Sequence, residues 1–465
     1  MHAERVVAQA SQSLPLSQLE RLRAGQLTGV QRLDLSCGLA EFPREIFNLA
    51  DSLEILNLSG NALSRLPDDL PRLHQLRIIF CSDNAFTELP EVLGRCPGLT
   101  MVGFKANQIR SVPAAALPPH LRWLILTDNQ ISALPPEIGR CTQLQKLMLA
   151  GNQLTHLPPE LAACMQLELL RLSANRLTRL PAWLLSMPQL AWLALAGNPI
   201  TDAGEALARA LHIPSVDWSH LTLGQLLGEG ASGLIYQARW QGFDPAPGQV
   251  AVKLFKSAVT SDGLPQSEMA ACMAVGAHPH VVGALGRVAR HPAGTQGLVM
   301  PLIDPGFANL AGPPSLVSCT RDTYAPGAAF TLHAVLRIAL GAAGAARHLH
   351  ACGVMHGDLY AHNMLRDARG GCLLGDFGAA SFLPRDDEAA ALALQRLEVR
   401  AFGILLGELL VRCETITPPS QSPEAMVTQL GVLQQQCTQA EVSQRPLFIE
   451  VERQLTRLIQ GVNAN

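Results

Sequence analysis

Leu144–Pro158 reads L-Q-K-L-M-L-A-G-N-Q-L-T-H-L-P, and the same arrangement of leucines, asparagine and proline returns throughout the first half of the chain. Blocks begin at Val30, Leu53, Leu76, Leu99, Leu121, Leu144, Leu167 and Leu190, 23 residues apart with one interval of 22. The asparagine recurs as Asn61, Asn84, Asn107, Asn129, Asn152, Asn175 and Asn198, with Gly38 in its place in the first block. Alternation within L-x-L makes a short strand with one apolar side, which a single strand cannot bury. Stacking the blocks builds a continuous core, and a buried asparagine can satisfy backbone groups where the chain turns.

Over roughly residues 28–200 this pattern strongly resembles the leucine-rich repeat family. Residues 1–27, helical in spacing from Glu4, are expected to cap the array, and 201–217 to close and link it. The resemblance implies a concave surface lined by the third and fifth positions of each block. Ile78, Met101, Trp123 and Trp192 hold third positions, beside Lys146 and Leu169; Phe80, Ile125 and Met148 hold fifth positions, beside Arg171. A stripe so apolar is unusual for a wet surface and points to binding of a protein partner or of the chain's own second half. The alternative is that these side chains pack on one another. Serine at Trp123 and Trp192 is expected to weaken partner capture without unfolding the array.

Beyond about His220 the repeat stops. L-G-E-G-A-S-G-L-I-Y (Leu227–Tyr236) carries Gly228, Gly230 and Gly233, a weak signal alone. V-A-V-K at Val250–Lys253, Glu268 in a helical stretch, H-G-D-L-Y-A-H-N at His356–Asn363 and D-F-G at Asp376–Gly378 follow in order. Together these five elements resemble the eukaryotic-like protein kinase family over residues 218–465. The implied fold is an α/β leucine-rich repeat solenoid followed by a bilobal α+β kinase domain. The implied chemistry is ATP- and Mg-dependent transfer to a hydroxyl, with serine or threonine as acceptor. By resemblance Lys253, held by Glu268, pairs with the phosphates, Asp358 orients the acceptor, and Asn363 and Asp376 hold magnesium. Gly228, Gly230, Gly233, Ile235 and Ala251 would enclose the nucleotide. Met300 falls at the gatekeeper, so Pro301–Ile303 would form the hinge.

The pattern departs from the family in four places. Gly357 stands where regulated kinases have the arginine that receives a phosphorylated activation segment. Tyr360 stands where serine/threonine kinases place a lysine near the γ-phosphate, so activity is expected to be slow unless Arg385, Arg366 or another cation compensates. The stretch after D-F-G is short, offers only Ser381 as a phosphate acceptor and lacks A-P-E; Glu388 is a candidate substitute partner for Arg445. Glu398 replaces the usual aspartate of the following helix, whose bonds to the catalytic loop a longer arm could preserve. Asp304–Ala329, rich in Gly and Pro, reads equally as a functional loop or a linker.

The chain's 465 residues, 48% hydrophobic and 16% charged, suit two or three packed domains and exclude disorder. A net charge of -3 gives no bulk attraction to nucleic acid or membrane. Eleven cysteines without a C-x-x-C pair suggest reduced thiols, and no secretory signal or span-length apolar run is evident, so a cytoplasmic protein is expected. Arg-over-Lys usage suits a GC-rich bacterial genome. The competing reading is a pseudokinase scaffold that binds nucleotide and partners without transfer. A small-molecule kinase ranks behind both.

Overall fold

The computed structural model describes residues 17–210, 214–230, 232–241, 248–256, 260, 262–414 and 422–463. In the repeats, eight three-residue strands stack in parallel and in sequence order, from Arg32–Asp34 to Trp192–Ala194. Register is residue for residue, so Lys146 lies beside Leu169 and Leu169 beside Trp192. The middle residue of each strand, such as Leu147 or Leu170, is fully buried, and its two neighbours face the other side. Short 3₁₀ turns such as Pro159–Ala163 follow the block prolines on the opposite side.

The asparagines form a ladder. Asn152 donates to the carbonyls of Leu126 (2.9 Å) and Leu149 (3.0 Å) and accepts from the Ile131 amide (3.0 Å). Each asparagine therefore joins neighbouring repeats through backbone groups that would otherwise be buried without partners. The residue before it is left-handed in each repeat from the second onward, as at Gly151 (φ 70°) and Ala174 (φ 55°). The first repeat is covered by the helix Gln18–Arg23, whose Ser17 and Glu20 form a capping box. The rest of the expected N-terminal cap lies outside the described residues. At the other end the helix Asp202–Ala210 closes the array.

The second half has two lobes. The first is a six-stranded sheet in the spatial order Leu221–Glu229, Gly233–Trp240, Gln249–Phe255, Gly297–Pro301, Gly286–Ala289, Ser215–Asp217, with the helix Pro265–Val275 beside it. The last of these strands comes from the connecting segment, so the link is woven into the sheet. The second lobe is built on the helices Leu332–Ala351, Glu388–Val411, Ser422–Cys437 and Phe448–Asn463. Small residues let Leu332–Ala351 pack closely: a Cβ on Gly341 would lie 2.5 Å from Cys372 Sγ.

The halves share apolar cores. Leu169, Ala191 and Trp192 of the array belong to one cluster with Leu359, Tyr360, Phe377 and Phe382, while Met355, Leu394 and Leu397 complete the repeat core. Such an interface is a fused core rather than a contact between mobile domains. Among the described residues no helix is long and apolar enough to cross a membrane. Replacing Asn152 by alanine should lower unfolding stability by about 1–3 kcal/mol, measured by urea denaturation, because its buried backbone partners lose their bonds.

Candidate active site

Strand pairing brings the phosphate-facing candidates together. Ile235 lies opposite Gly228 on one side and Lys253 on the other, and the Gly230 amide bonds the Gly233 carbonyl (2.9 Å). Gly228 and Gly230 have open space where a Cβ would point, whereas a Cβ on Gly233 would sit 2.5 Å from the Leu254 carbonyl. Gly233 is thus required by sheet packing. Lys256 braces the turn, paired to Glu229 and 3.2 Å from the Gly230 carbonyl.

Lys253 pairs with Glu268 of the helix Pro265–Val275, and Asp376 Oδ1 lies 3.8 Å from the same ammonium. Burial works against the charge on Lys253, but the two carboxylates outweigh it and hold the amine above its usual range. Ala251 is buried opposite Met300, and Val250 is opposite Pro301, so the strand Gly297–Pro301 leads into Pro301–Ile303, the segment expected to form the hinge.

The candidate catalytic loop, His356–Asn363, is held from inside. His356 is fully buried and bonds the Gly375 carbonyl through Nε2 (2.9 Å), a structural role. Glu398 accepts from the amides of His356 (3.2 Å) and Gly357 (2.6 Å) and lies 2.8 Å from His350 Nε2. Burial opposes its charge, but the His350 bond and the neighbouring donors hold the carboxyl below the usual range. Asn363 Nδ2 donates to the backbone carbonyl of Asp358 (2.9 Å) and to its Oδ2 (2.7 Å).

The other carboxylate oxygen faces the repeats. Arg171, 2% exposed, pairs through Nη2 with Asp358 Oδ1, donates from Nε to Asp262 Oδ1 (2.7 Å) and from Nη1 to the Gly357 carbonyl (3.0 Å). Against the cost of burial, Arg171 first and then His362, His356 and Asn363 keep the Asp358 carboxyl below its ordinary range. Beside this cluster the Trp192 and Tyr360 rings stack at 4.1 Å and 6°, and Trp192 Nε1 donates to the Leu359 carbonyl (3.2 Å). The Leu195 amide donates to Ser381 Oγ (2.7 Å), so the one hydroxyl of that segment that could take a phosphate is buried in the interface. Gly357 (φ 74°) faces the array so closely that a Cβ would lie 2.7 Å from the Leu193 carbonyl.

Further contacts fasten the array to both lobes. Ser267 donates to Glu205 (3.1 Å), tying the helix that carries Glu268 to the closing helix. Within Asp304–Ala329, Arg321 pairs with Glu168 (2.7 Å) and Asp322 with His362 (2.7 Å), which makes that insert a strap. Arg445 bonds the carbonyls of Gln439, Arg396 and Pro188 instead of Glu388, which begins the helix Glu388–Val411.

The expected partner stripe divides. Trp192 is 1% exposed, and its partner is the chain's own second half. Met148 packs against that same cluster and accepts from Trp123 Nε1 (3.4 Å), while the Lys146 ammonium covers the Trp123 ring at 4.3 Å. Ile78 and Met101 are buried; Phe80 and Ile125 stay half-buried. Arg171 and Asp262 were not singled out by the sequence reading. The one available signal was an arginine at a fifth position otherwise filled by Asp, Asn, Phe, Gly, Ile, Met and Ala.

Trp192→Ser should therefore destabilise the whole chain by about 3–5 kcal/mol in thermal or urea unfolding. Trp123→Ser, at a half-buried position, should cost much less.

Comparison with known proteins agrees with this two-part architecture. Residues 221–404 match the protein tyrosine and serine/threonine kinase family, and residues 52–73, 119–177 and 142–200 match leucine-rich repeats. CBL-interacting protein kinase 22 of Oryza sativa subsp. japonica is 33% identical over 36% of this chain and 38% of its own length. Tyrosine-protein kinase transforming protein RYK of avian retrovirus RPL30 is 26% identical over 54% and 64% respectively. Serine/threonine-protein kinase mos of Xenopus laevis is 31% identical over 38% and 46%. The chain thus spans less than two thirds of each of these relatives. Its own architecture is a leucine-rich repeat region joined to a protein kinase domain.

Proposed function

We propose that this chain is an ATP- and magnesium-dependent kinase that transfers the γ-phosphoryl group to serine or threonine hydroxyls of a protein. The observation that carries the reading is the buried Lys253–Glu268 pair with Asp376 beside it. A lysine fixed in this way presents one charge to the phosphates without reorganising during the reaction. Asp358, kept ionised, is the acceptor-orienting group, and the glycine turn would close over the phosphates with backbone amides.

The residues suit magnesium. Asn363 commits its amide nitrogen to Asp358, which leaves its carbonyl oxygen; Asp376, about half exposed, offers carboxylate oxygen. Two hard oxygen donors, with phosphate and water completing the shell, are what this ion prefers. When bound, it would neutralise charge on the phosphates. All eleven cysteines are free thiols, which supports a reducing, cytoplasmic setting. The array's last repeats serve the kinase itself; the half-buried Phe80, Trp123 and Ile125 are the remaining surface for a protein partner.

A second reading, a nucleotide-binding scaffold, is favoured by the cover over Asp358, whose side chain is only 17% exposed. Purified protein with Mg²⁺ and labelled ATP separates the two. Label transfer by the wild type that falls at least about 100-fold in Asp358→Asn supports the kinase. A nucleotide-induced thermal shift without transfer would establish the scaffold instead.

A further inference from the structure

The position two residues beyond Asp358 cannot provide positive charge. Tyr360 is buried against Trp192, and its hydroxyl has no hydrogen-bond partner among the described residues. A neutral ring is locked where the phosphoryl-transfer site would benefit from a cation. The other candidates do not fill the gap: the Arg366 guanidinium lies over the Phe330 ring at 5.1 Å, and Arg385 lines a cavity with Leu207, Cys352 and Phe382.

The cation at Asp358 comes from the repeats. Arg171 reaches the carboxylate directly and the carbonyl of Gly357, with Asp262 as its second carboxylate. Each carboxylate oxygen has more than one acceptor site, so bonds from Arg171 and Asn363 leave Asp358 able to receive a hydroxyl proton donor. The surface holding Arg171 is no removable cover, since array and kinase residues share one apolar core around Trp192. A guanidinium this deeply buried is stable only while its partners are in place.

We propose that Arg171 of the seventh repeat is the positioning cation of the phosphoryl-transfer site, fixing Asp358 from across the domain boundary while residue 360 contributes no charge. The array is then part of the catalytic unit. This rests on the kinase reading above.

The test uses the full chain, with labelled ATP, Mg²⁺ and casein as acceptor, comparing wild type, Arg171→Gln and Arg171→Lys. Arg171→Gln should lower kcat about 10²–10³-fold with KM for ATP changed less than about threefold, the size of effect seen when one well-placed donor is lost. Arg171→Lys should recover part of the rate. Because Arg171→Gln strands two carboxylates, the double variant Arg171→Gln/Asp262→Asn is measured alongside, with thermal melting as the folding control; it should be equally slow while folded. Unchanged kcat, no recovery in Arg171→Lys, or a faster Arg171→Gln enzyme would each overturn the proposal, the last by making Arg171 an inhibitory clamp. An inactive wild type that Arg171→Gln activates removes this proposal alone. Inactivity of every variant removes the kinase reading and this proposal together.

Discussion

A guanidinium withdrawn from water must find its counter-charges, and Arg171 finds both of them in the other half of the molecule. That requirement fixes how the repeats sit on the kinase domain. With Arg171 at Asp358, the next strand is carried over the catalytic loop, Trp192 onto Tyr360 and the Leu193 carbonyl against Gly357. Several departures from the family pattern then share one cause. A side chain at 357 would collide with the Ala379 carbonyl of its own half (2.5 Å) as well as the Leu193 carbonyl of the array (2.7 Å), and a lysine at 360 would lose the stacking surface that Trp192 requires. The short segment after D-F-G needs no phosphorylated residue to order it, since Ser381 is already bonded to the array.

The precision this demands comes from the asparagine ladder. Strands of three residues are too short to be rigid alone, but register with their neighbours and a bonded asparagine at each turn from the second repeat onward make the array one stiff body. A platform of that kind can hold a side chain in place over the distance from the seventh repeat to the catalytic loop. The strap from Asp304 to Ala329 and the closing helix Asp202–Ala210 attach the platform to one lobe each. The Ser267–Glu205 bond also steadies the helix that brings Glu268 to Lys253, so the array supports both ends of the site.

Glu398 shows how a local change is absorbed. The extra methylene relative to aspartate still lets the carboxylate take the amides of His356 and Gly357 while meeting His350. Gly233 shows the reverse. It belongs to the glycine motif, yet packing against Leu254 alone would require it. A motif residue can therefore be needed for the sheet as much as for a ligand.

The repeat spacing, the family of the second half and the cluster of Lys253, Glu268 and Asp376 were legible in the amino-acid order, because periodic leucines and short motifs act through neighbours along the chain. Lys253, Glu268 and Asp376 could be named without coordinates, since each sits in a local pattern that the chemistry demands. Arg171, Asp262 and the burial of Trp192 could not. Their meaning depends on which surface meets which, across separations of about a hundred residues or more (|i−j| = 187 for Arg171 and Asp358). An apolar stripe looks the same in sequence whether it awaits a partner or has already found one in its own chain. Only the folded contact, where desolvated charge and ring faces must be matched, decided that here it had.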